Sequence, residues 1–399
     1  MKPFDVAIVG AGPAGSSTAI FLARRGYSVA LIDKQQFPRE KLCGDFVNPA
    51  TWPTLRELGV EEEILSCNHE TVTKFRMTSF SGEEAEVPLV TGDGVTTSGL
   101  SVRRFDLDYV LLQKAKSQGV TVYEGFRIKR LRRERAGWRL EADNSQFVEG
   151  LSARLLIGAD GRNSWVAHRL GLGRAPMHGR SVGFQVRLKC SNQANGKVQI
   201  HLFPGGYAGL VGLGDNAATL GFAVEKDRLR HHQPFEQLLD SCLSVNPHLK
   251  EILRRGEIAG EARSTYPVYF SPRRSYTDRA LLVGDAARVN EPVTGEGIYF
   301  AMKSGQLAAK TVDQAFRKSD FSARHLRLYE QECRSAFAVR RGMNALIRWL
   351  IYRPILLSPL LRVSAKKTRF LDAIVHTICD PDIAGQKGNL VDSSPWLVG

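Results

Sequence analysis

The chain has 399 residues, 43% of them hydrophobic and 24% charged, with a formal net charge of +14. That length holds two domains, each with its own core. Six cysteines, at 43, 67, 190, 242, 333 and 379, form no CxxC pair and no Cys/His cluster, which argues against a structural zinc site or a disulfide framework and fits a reducing cytoplasm.

Phe4 to Val9 (FDVAIV) reads as a short buried strand. It carries Asp5 and ends at glycine, so it lacks the long apolar segment of an export signal; the protein is expected to stay in the cytoplasm. The chain continues Gly10-Ala11-Gly12-Pro13-Ala14-Gly15, and a helical pattern then runs to Arg25. In such a turn Gly10 permits the tight bend, Gly12 lets backbone approach a pyrophosphate, and Gly15 lets the helix pack close to the strand. The helix start offers free N–H groups and a positive dipole end to phosphate. Tyr27 to Ile32 gives a second strand. Asp33, followed by Lys34, stands where an acid accepts hydrogen bonds from ribose hydroxyls.

Phe75 to Leu100 alternates like strands with a loop. Arg104 to Gln118 is amphipathic, with Leu107, Val110, Leu111 and Ala115 on one face. Gly119 stops that helix and a strand follows. Ile128 to Val148 looks like antiparallel strands. Ala153 to Ala159 is a buried strand ending at Asp160-Gly161, at the carboxyl end where open α/β sheets bind ligands; a plain capped strand end is the other reading. From about 176 to 275 apolar and polar residues alternate between turns, the mark of a mostly antiparallel sheet, with a helical piece at Pro234 to Arg255. Arg279 to Gly284 returns to a buried parallel-type strand, and Gly284-Asp285 repeats the strand-end geometry. Pro292 to Gly297 (PVTGEG) leads into a helix reaching Phe316. Backbone N–H groups of that loop are placed to face a flavin ring or a pyrophosphate, with Thr294 and Glu296 beside them.

The pattern predicts an α/β protein. A Rossmann-type nucleotide-binding domain spans 1–75, 101–175 and 276–330. A mostly antiparallel substrate domain, 76–100 and 176–275, is inserted in it, and a helical region occupies 331–399. The glycine motifs at Gly10 to Gly15, Gly158 to Gly161 and Gly284 to Gly297 divide one cofactor's atoms among three distant segments, which points to FAD.

GAGPAGSSTA, KLCGDFVNP (Lys41 to Pro49), RFDLD (Arg104 to Asp108), GADGRNS (Gly158 to Ser164) and GDAARVNEPVTGEGIYFAMKSG (Gly284 to Gly305) are specific as a group. On them, most of residues 1–330 resembles the FAD enzymes of the p-hydroxybenzoate hydroxylase fold, and within these the geranylgeranyl reductase family. The resemblance implies cofactor contacts from Gly10, Gly12, Pro13, Ala14, Gly15, Asp33, Lys34, Cys43, Gly44 and Arg104. It implies further contacts from Asp160, Gly161, Gly284, Asp285, Pro292, Thr294, Gly295, Glu296, Gly297 and Ile298. It places Cys43 on a Cys–Gly loop bordering the flavin, which makes Cys43 a candidate catalytic residue alongside Glu296; a small packing residue is the plainer role for Cys43. The family's YxWxFP pattern is broken, since Tyr207 is followed by Ala208-Gly209-Leu210-Val211-Gly212. Tyr207 alone remains as a candidate substrate contact. The WxWxIP signature of tryptophan halogenases is absent too.

Two reactions follow from this resemblance. One is reduction of a carbon–carbon double bond in a hydrophobic, lipid-like substrate. The other is NAD(P)H-dependent hydroxylation of an aromatic or phenolic lipid in a dry pocket. A flavin-binding protein without turnover is a third reading. With no second nucleotide fingerprint, NAD(P)H or another electron donor would bind transiently. Between Cys333 and Leu371 there is no acid, whereas Arg334, Arg340, Arg341, Arg348, Arg353, Arg362, Lys366, Lys367 and Arg369 alternate with apolar runs. The apolar runs are too short to span a bilayer. The composition of 334–369 fits the surface of an anionic membrane, or else an ordinary helical subdomain with solvated charges. No nucleic-acid motif accompanies the charge.

Overall fold

The computed structural model describes residues 3–142, 150–173, 181–189, 194–229, 234–269, 271–288, 292–351, 353 and 369–381. Its first sheet is built on β1 (Phe4–Val9), which pairs in parallel with β2 (Val29–Asp33) on one side and with the strand Leu151–Gly158 on the other. The path runs Tyr276–Thr277, Ala280–Leu282, Leu151–Gly158, β1, β2, Thr121–Glu124, and a hairpin of Ile128–Arg133 and Trp138–Ala142 leaves it at Leu151–Gly158. The expected segment Ile128 to Val148 is antiparallel as read, although residues 143–149 lie outside the described ones.

All five residues of β2 are buried, as expected for parallel strands covered on both faces. The covering helix α1 (Pro13–Ala23) is buried along ten of its residues. It crosses the helix Gly297–Arg317 closely enough that a Cβ on Gly305 would lie 2.5 Å from Ser17 Oγ. The helix Arg104–Ser117 buries Leu107, Leu111, Leu112 and Ala115, spaced to form one stripe.

The second sheet has seven strands in the order Glu257–Thr265, Ser181–Lys189, Ala217–Glu225, Gly206–Gly214, Lys197–Phe203, Lys74–Thr78, Glu84–Pro88. Side chains alternate across it. Val186, Leu188, Leu210, Leu220 and Phe222 face one core with the helix Pro247–Arg255. Phe75, Val198, Ile200 and Val211 share the other with the helices Ala338–Ile351 and Arg369–Cys379. Three further strands, Phe46–Val47, Gly99–Val102 and His69–Val72, make a small antiparallel sheet at the junction.

Two expectations shift. Lys74–Thr78 belongs wholly to the second sheet and pairs in parallel with Lys197–Phe203, so a domain boundary at residue 75 cuts a strand. The helical piece 234–255 is broken: Asn246 caps a new helix by accepting from the N–H groups of His248 at 2.9 Å and Leu249 at 3.2 Å, and Pro247 takes its first position. Among the described residues no helix is long and apolar enough to cross a membrane.

Candidate active site

The three glycine motifs converge because their strands are neighbours in register. Val9 pairs with Gly158, and Gly158 with Leu282, so all three loops leave the same carboxyl edge of the first sheet. They open on a cavity of about 730 Å³ that extends to the face of the second sheet.

The glycines of the first loop act for different reasons. Gly10 has φ +105°, and a Cβ there would lie 2.4 Å from the Ala159 carbonyl oxygen. A Cβ on Gly15 would stand 1.8 Å from Gly10 O, so the turn and helix fit only without one. A Cβ on Gly12 would meet nothing closer than guanidinium nitrogens of Arg104 and Arg39, both 3.8 Å away. Gly12 therefore leaves space for a ligand between backbone and cation. No side chain caps α1, which leaves first-turn N–H groups for a ligand. Asp33 closes the loop from β2: Oδ2 accepts from Ala11 N at 2.8 Å and Oδ1 from Gln35 N at 2.9 Å.

Arg104 forms a bidentate pair with Asp108, Nε to Oδ1 at 2.6 Å and Nη2 to Oδ2 at 2.7 Å. Arg39 reaches the same carboxylate at 3.1 Å. Asp108 is fully buried and pairs with both arginines, and Arg39 also lies 4.0 Å from Asp33 Oδ2, so with Lys41 three cations face two carboxylates. Lys41, exposed along its stem, lines the same wall; desolvation of its ammonium group in the cavity and the charges of Arg104 and Arg39 push its pKa down. The wall is therefore cationic, as a pyrophosphate requires. Space at Gly12, uncapped N–H groups and surplus positive charge together fit FAD. Gly10, Gly12, Pro13, Ala14, Asp33, Lys34 and Arg104 would hold its nucleotide half.

Cys43 and Gly44 line the cavity on a loop fixed by Asp45. That residue has φ +56° and no exposure. Its Oδ1 accepts from Arg104 N at 3.1 Å, and its Oδ2 from Thr219 Oγ1 at 2.8 Å and from Arg187 Nη1. Gln185 Nε2 donates to Cys43 O at 2.7 Å. Desolvation pushes the half-buried Cys43 thiol up, only partly opposed by Arg104, opposite to the lowering that an activated thiolate nucleophile needs.

Asp160, Gly161, Asp285, Thr294, Gly295, Gly297 and Ile298 line the cavity, as does Tyr207 on the facing sheet. The Asp160 carboxylate is engaged locally, accepting from Ser164 Oγ and from Val166 N at 3.0 Å. The capped strand end thus accounts for its side chain. Asp285 is 3.7 Å from Arg162 Nη2. Gly15, Gly284 and Pro292 shape the loops without lining the cavity.

Glu296 requires correction. It does not line the cavity and is fully buried on the far side of its loop. There it pairs with Arg340 and accepts from Thr294 Oγ1 at 2.7 Å and Asn344 Nδ2 at 3.1 Å. A carboxylate so held positions the loop and does not face the cavity. Arg39, Gln185 and Arg187 stand outside the sequence motifs, whereas Lys41, Asp45 and Asp108 belong to KLCGDFVNP and RFDLD without a role of their own being read there. Arg39 and Lys41 flank Glu40 immediately before Cys43-Gly44, and that alternation was a usable signal. Gln185 and Arg187 show only in three dimensions, as do the partners of Asp45 and Asp108.

The fold and site define an FAD-dependent oxidoreductase. The family model described as FAD binding domain matches residues 3–206, and the chain belongs to that family. Digeranylgeranylglycerophospholipid reductase 1 of Methanothermobacter thermautotrophicus is 30% identical over 83% of this chain and 82% of its own. The 1H-pyrrole-2-carbonyl-(peptidyl-carrier protein) chlorinase of Pseudomonas fluorescens is 26% identical over 82% and 79%. A geranylgeranyl bacteriochlorophyll reductase-like structure from Thermoplasma acidophilum superposes with a TM-score of 0.79 at 22% identity, covering 95% of this chain and 96% of that one.

Proposed function

We propose that this enzyme reduces a carbon–carbon double bond in a hydrophobic, lipid-like substrate. The observation behind the reading is the continuity of one cavity from the cationic FAD cradle to an apolar wall of Phe75, Val198, Ile200, Val211, Val293 and Ile378. A bound flavin supplies hydride chemistry. The protein's part is to lay an apolar chain against that wall, exclude water and supply a proton to the second carbon. Cys43, kept as a thiol by burial beside the cavity, is the proton donor in this reading. The 30% identical relative is named as a reductase of a lipid of this kind. The electron donor, NAD(P)H or another, binds transiently.

The test is anaerobic reduction of the holoenzyme followed by geranylgeraniol. A product heavier by two hydrogens per turnover supports the reading. A product formed only after air is admitted, and carrying one added oxygen atom, replaces it with hydroxylation.

The membrane contact is part of the same reading. The helix Ala338–Ile351 buries Ile347, Leu350 and Ile351 against the cavity-side core and leaves Leu346 and Trp349 exposed, with Arg353 4.3 Å from the Trp349 ring. Apolar and cationic groups on one face suit an anionic lipid surface. Sedimentation with phosphatidylglycerol vesicles is expected to fall for Trp349→Glu; unchanged sedimentation removes the membrane from the proposal.

A further inference from the structure

The cavity-facing side of the second sheet carries glycines that the fold itself does not require. Gly206 and Gly212 are needed for packing: a Cβ on Gly206 would meet Ala223 O at 2.1 Å, and one on Gly212 would meet Glu70 Oε2 at 1.9 Å. Gly209 and Gly221 are different. They pair directly across adjacent strands, and both line the cavity. The nearest atoms to their added Cβ positions are backbone oxygens of the sheet, 3.9 Å away at Gly209 and 3.8 Å at Gly221. Neither has a positive φ. A glycine inside a strand, with no other backbone pressed against it, marks close approach by a ligand.

Gln185 is the next residue across, paired with Gly221, on the same face and 3% exposed. Its Nε2 is directed to two acceptors, Cys43 O at 2.7 Å and Asp45 Oδ2 at 3.5 Å, which fixes the amide orientation. Its Oε1 has no hydrogen-bond partner. A buried amide oxygen in that state is destabilising until a donor meets it. On the other side Gly209 pairs with Ile200, part of the apolar wall.

We propose that Gly209 and Gly221 form the floor for a flat ring in the substrate, and that Gln185 Oε1 accepts a hydrogen bond from a hydroxyl on that ring. The substrate class is then a hydroxylated planar ring that carries an apolar tail, the tail lying beyond Ile200 along the apolar wall. Gly209, Gly221 and Gln185 set specificity. The proposal rests on the reading that this cavity takes the substrate, but not on which reaction follows.

The probes are 1-naphthol and 1-methoxynaphthalene, which share a shape and differ in the O–H donor. Binding to the FAD-loaded enzyme is read from the flavin absorbance, without turnover. The expected result is at least tenfold tighter binding of 1-naphthol. Gly221→Leu and, independently, Gly209→Leu should keep the flavin spectrum and weaken both probes at least tenfold. Gln185→Met should keep binding but erase the preference for the naphthol. The proposal is overturned if wild type does not distinguish the probes, or if both leucine variants bind them as wild type does. Loss of FAD from folded leucine variants also overturns it, since the floor would then belong to the cofactor. Failure of double-bond reduction leaves these titrations standing.

Discussion

Glu296 and Arg340, 44 positions apart, form an ion pair with neither side chain exposed. Through it the helix Ala338–Ile351 holds the loop that borders the cavity at Thr294 and Gly295. Arg340 also donates to the Asp380 carbonyl, so the last described helix is tied to the same point.

Removing one partner of such a pair strands a buried charge, which costs about 3–5 kcal/mol. Arg340→Met is expected to lower the melting temperature and to release FAD more readily, because the loop loses its anchor. Differential scanning fluorimetry and the ratio of flavin to protein absorbance measure the two effects.

Gly12 and Gly15 make a paired test of the cofactor cradle. Gly15→Ala places a methyl 1.8 Å from Gly10 O, so the variant should be poorly folded. Gly12→Ala meets only the tips of two arginines at 3.8 Å. It should fold with a circular dichroism spectrum like wild type and yet retain little FAD. Equal FAD content in Gly12→Ala and wild type would place the pyrophosphate elsewhere.

Cys43 should resist alkylation, since its thiol is held above the ordinary range by burial. Iodoacetamide at pH 8 is expected to modify it far more slowly than a model thiol, as read by mass spectrometry of its peptide. Cys43→Ala should keep FAD and accept electrons normally but turn over at least tenfold more slowly. Cys43→Ser, which retains a donor, should fall between.

His201 makes stability depend on pH. It is fully buried, and its Nδ1 lies 2.8 Å from Thr78 Oγ1. Burial, with the charges of Arg76 and His248 in support, pushes its pKa down from 6.5 to about 3. The unfolded chain therefore takes up this proton first as pH falls. The stabilisation is full above pH 6.5 and is lost towards pH 3, at up to about 1.4 kcal/mol per pH unit. Urea midpoints at pH 7.5 and 5 should differ in wild type, and the difference should shrink in His201→Gln.

The cofactor half of the site was legible because its demands are local. A tight turn, a close approach and a helix start each ask for a residue type at a fixed spacing, and Gly10, Gly12 and Gly15 stand at those places. The strand ends at Gly158 and Leu282 were legible for the same reason. Glu296 was misread because its position on the loop was visible while its partner, 44 residues on, looked like one more cation in a basic segment. Asp45 was visible as the end of the Cys–Gly loop motif, but its role was not, because its partners, Arg104, Arg187 and Thr219, come from three other elements. The parallel pairing of Lys74–Thr78 with Lys197–Phe203 left no trace in either strand's alternation, which fixes the face but not the neighbour.

That the cradle is assembled from three loops at one sheet edge sets a clock on synthesis. About 285 residues separate Gly12 from Gly297, so at roughly 5–20 residues per second between about 15 s and 1 min passes before the last loop exists. Until then α1 lacks the helix that packs against Ser17 and Thr18 through Gly305, and the glycine turn has no finished pocket to open into. The cradle is thus complete only late on the nascent chain, and Arg340, which anchors its last loop, is made later still.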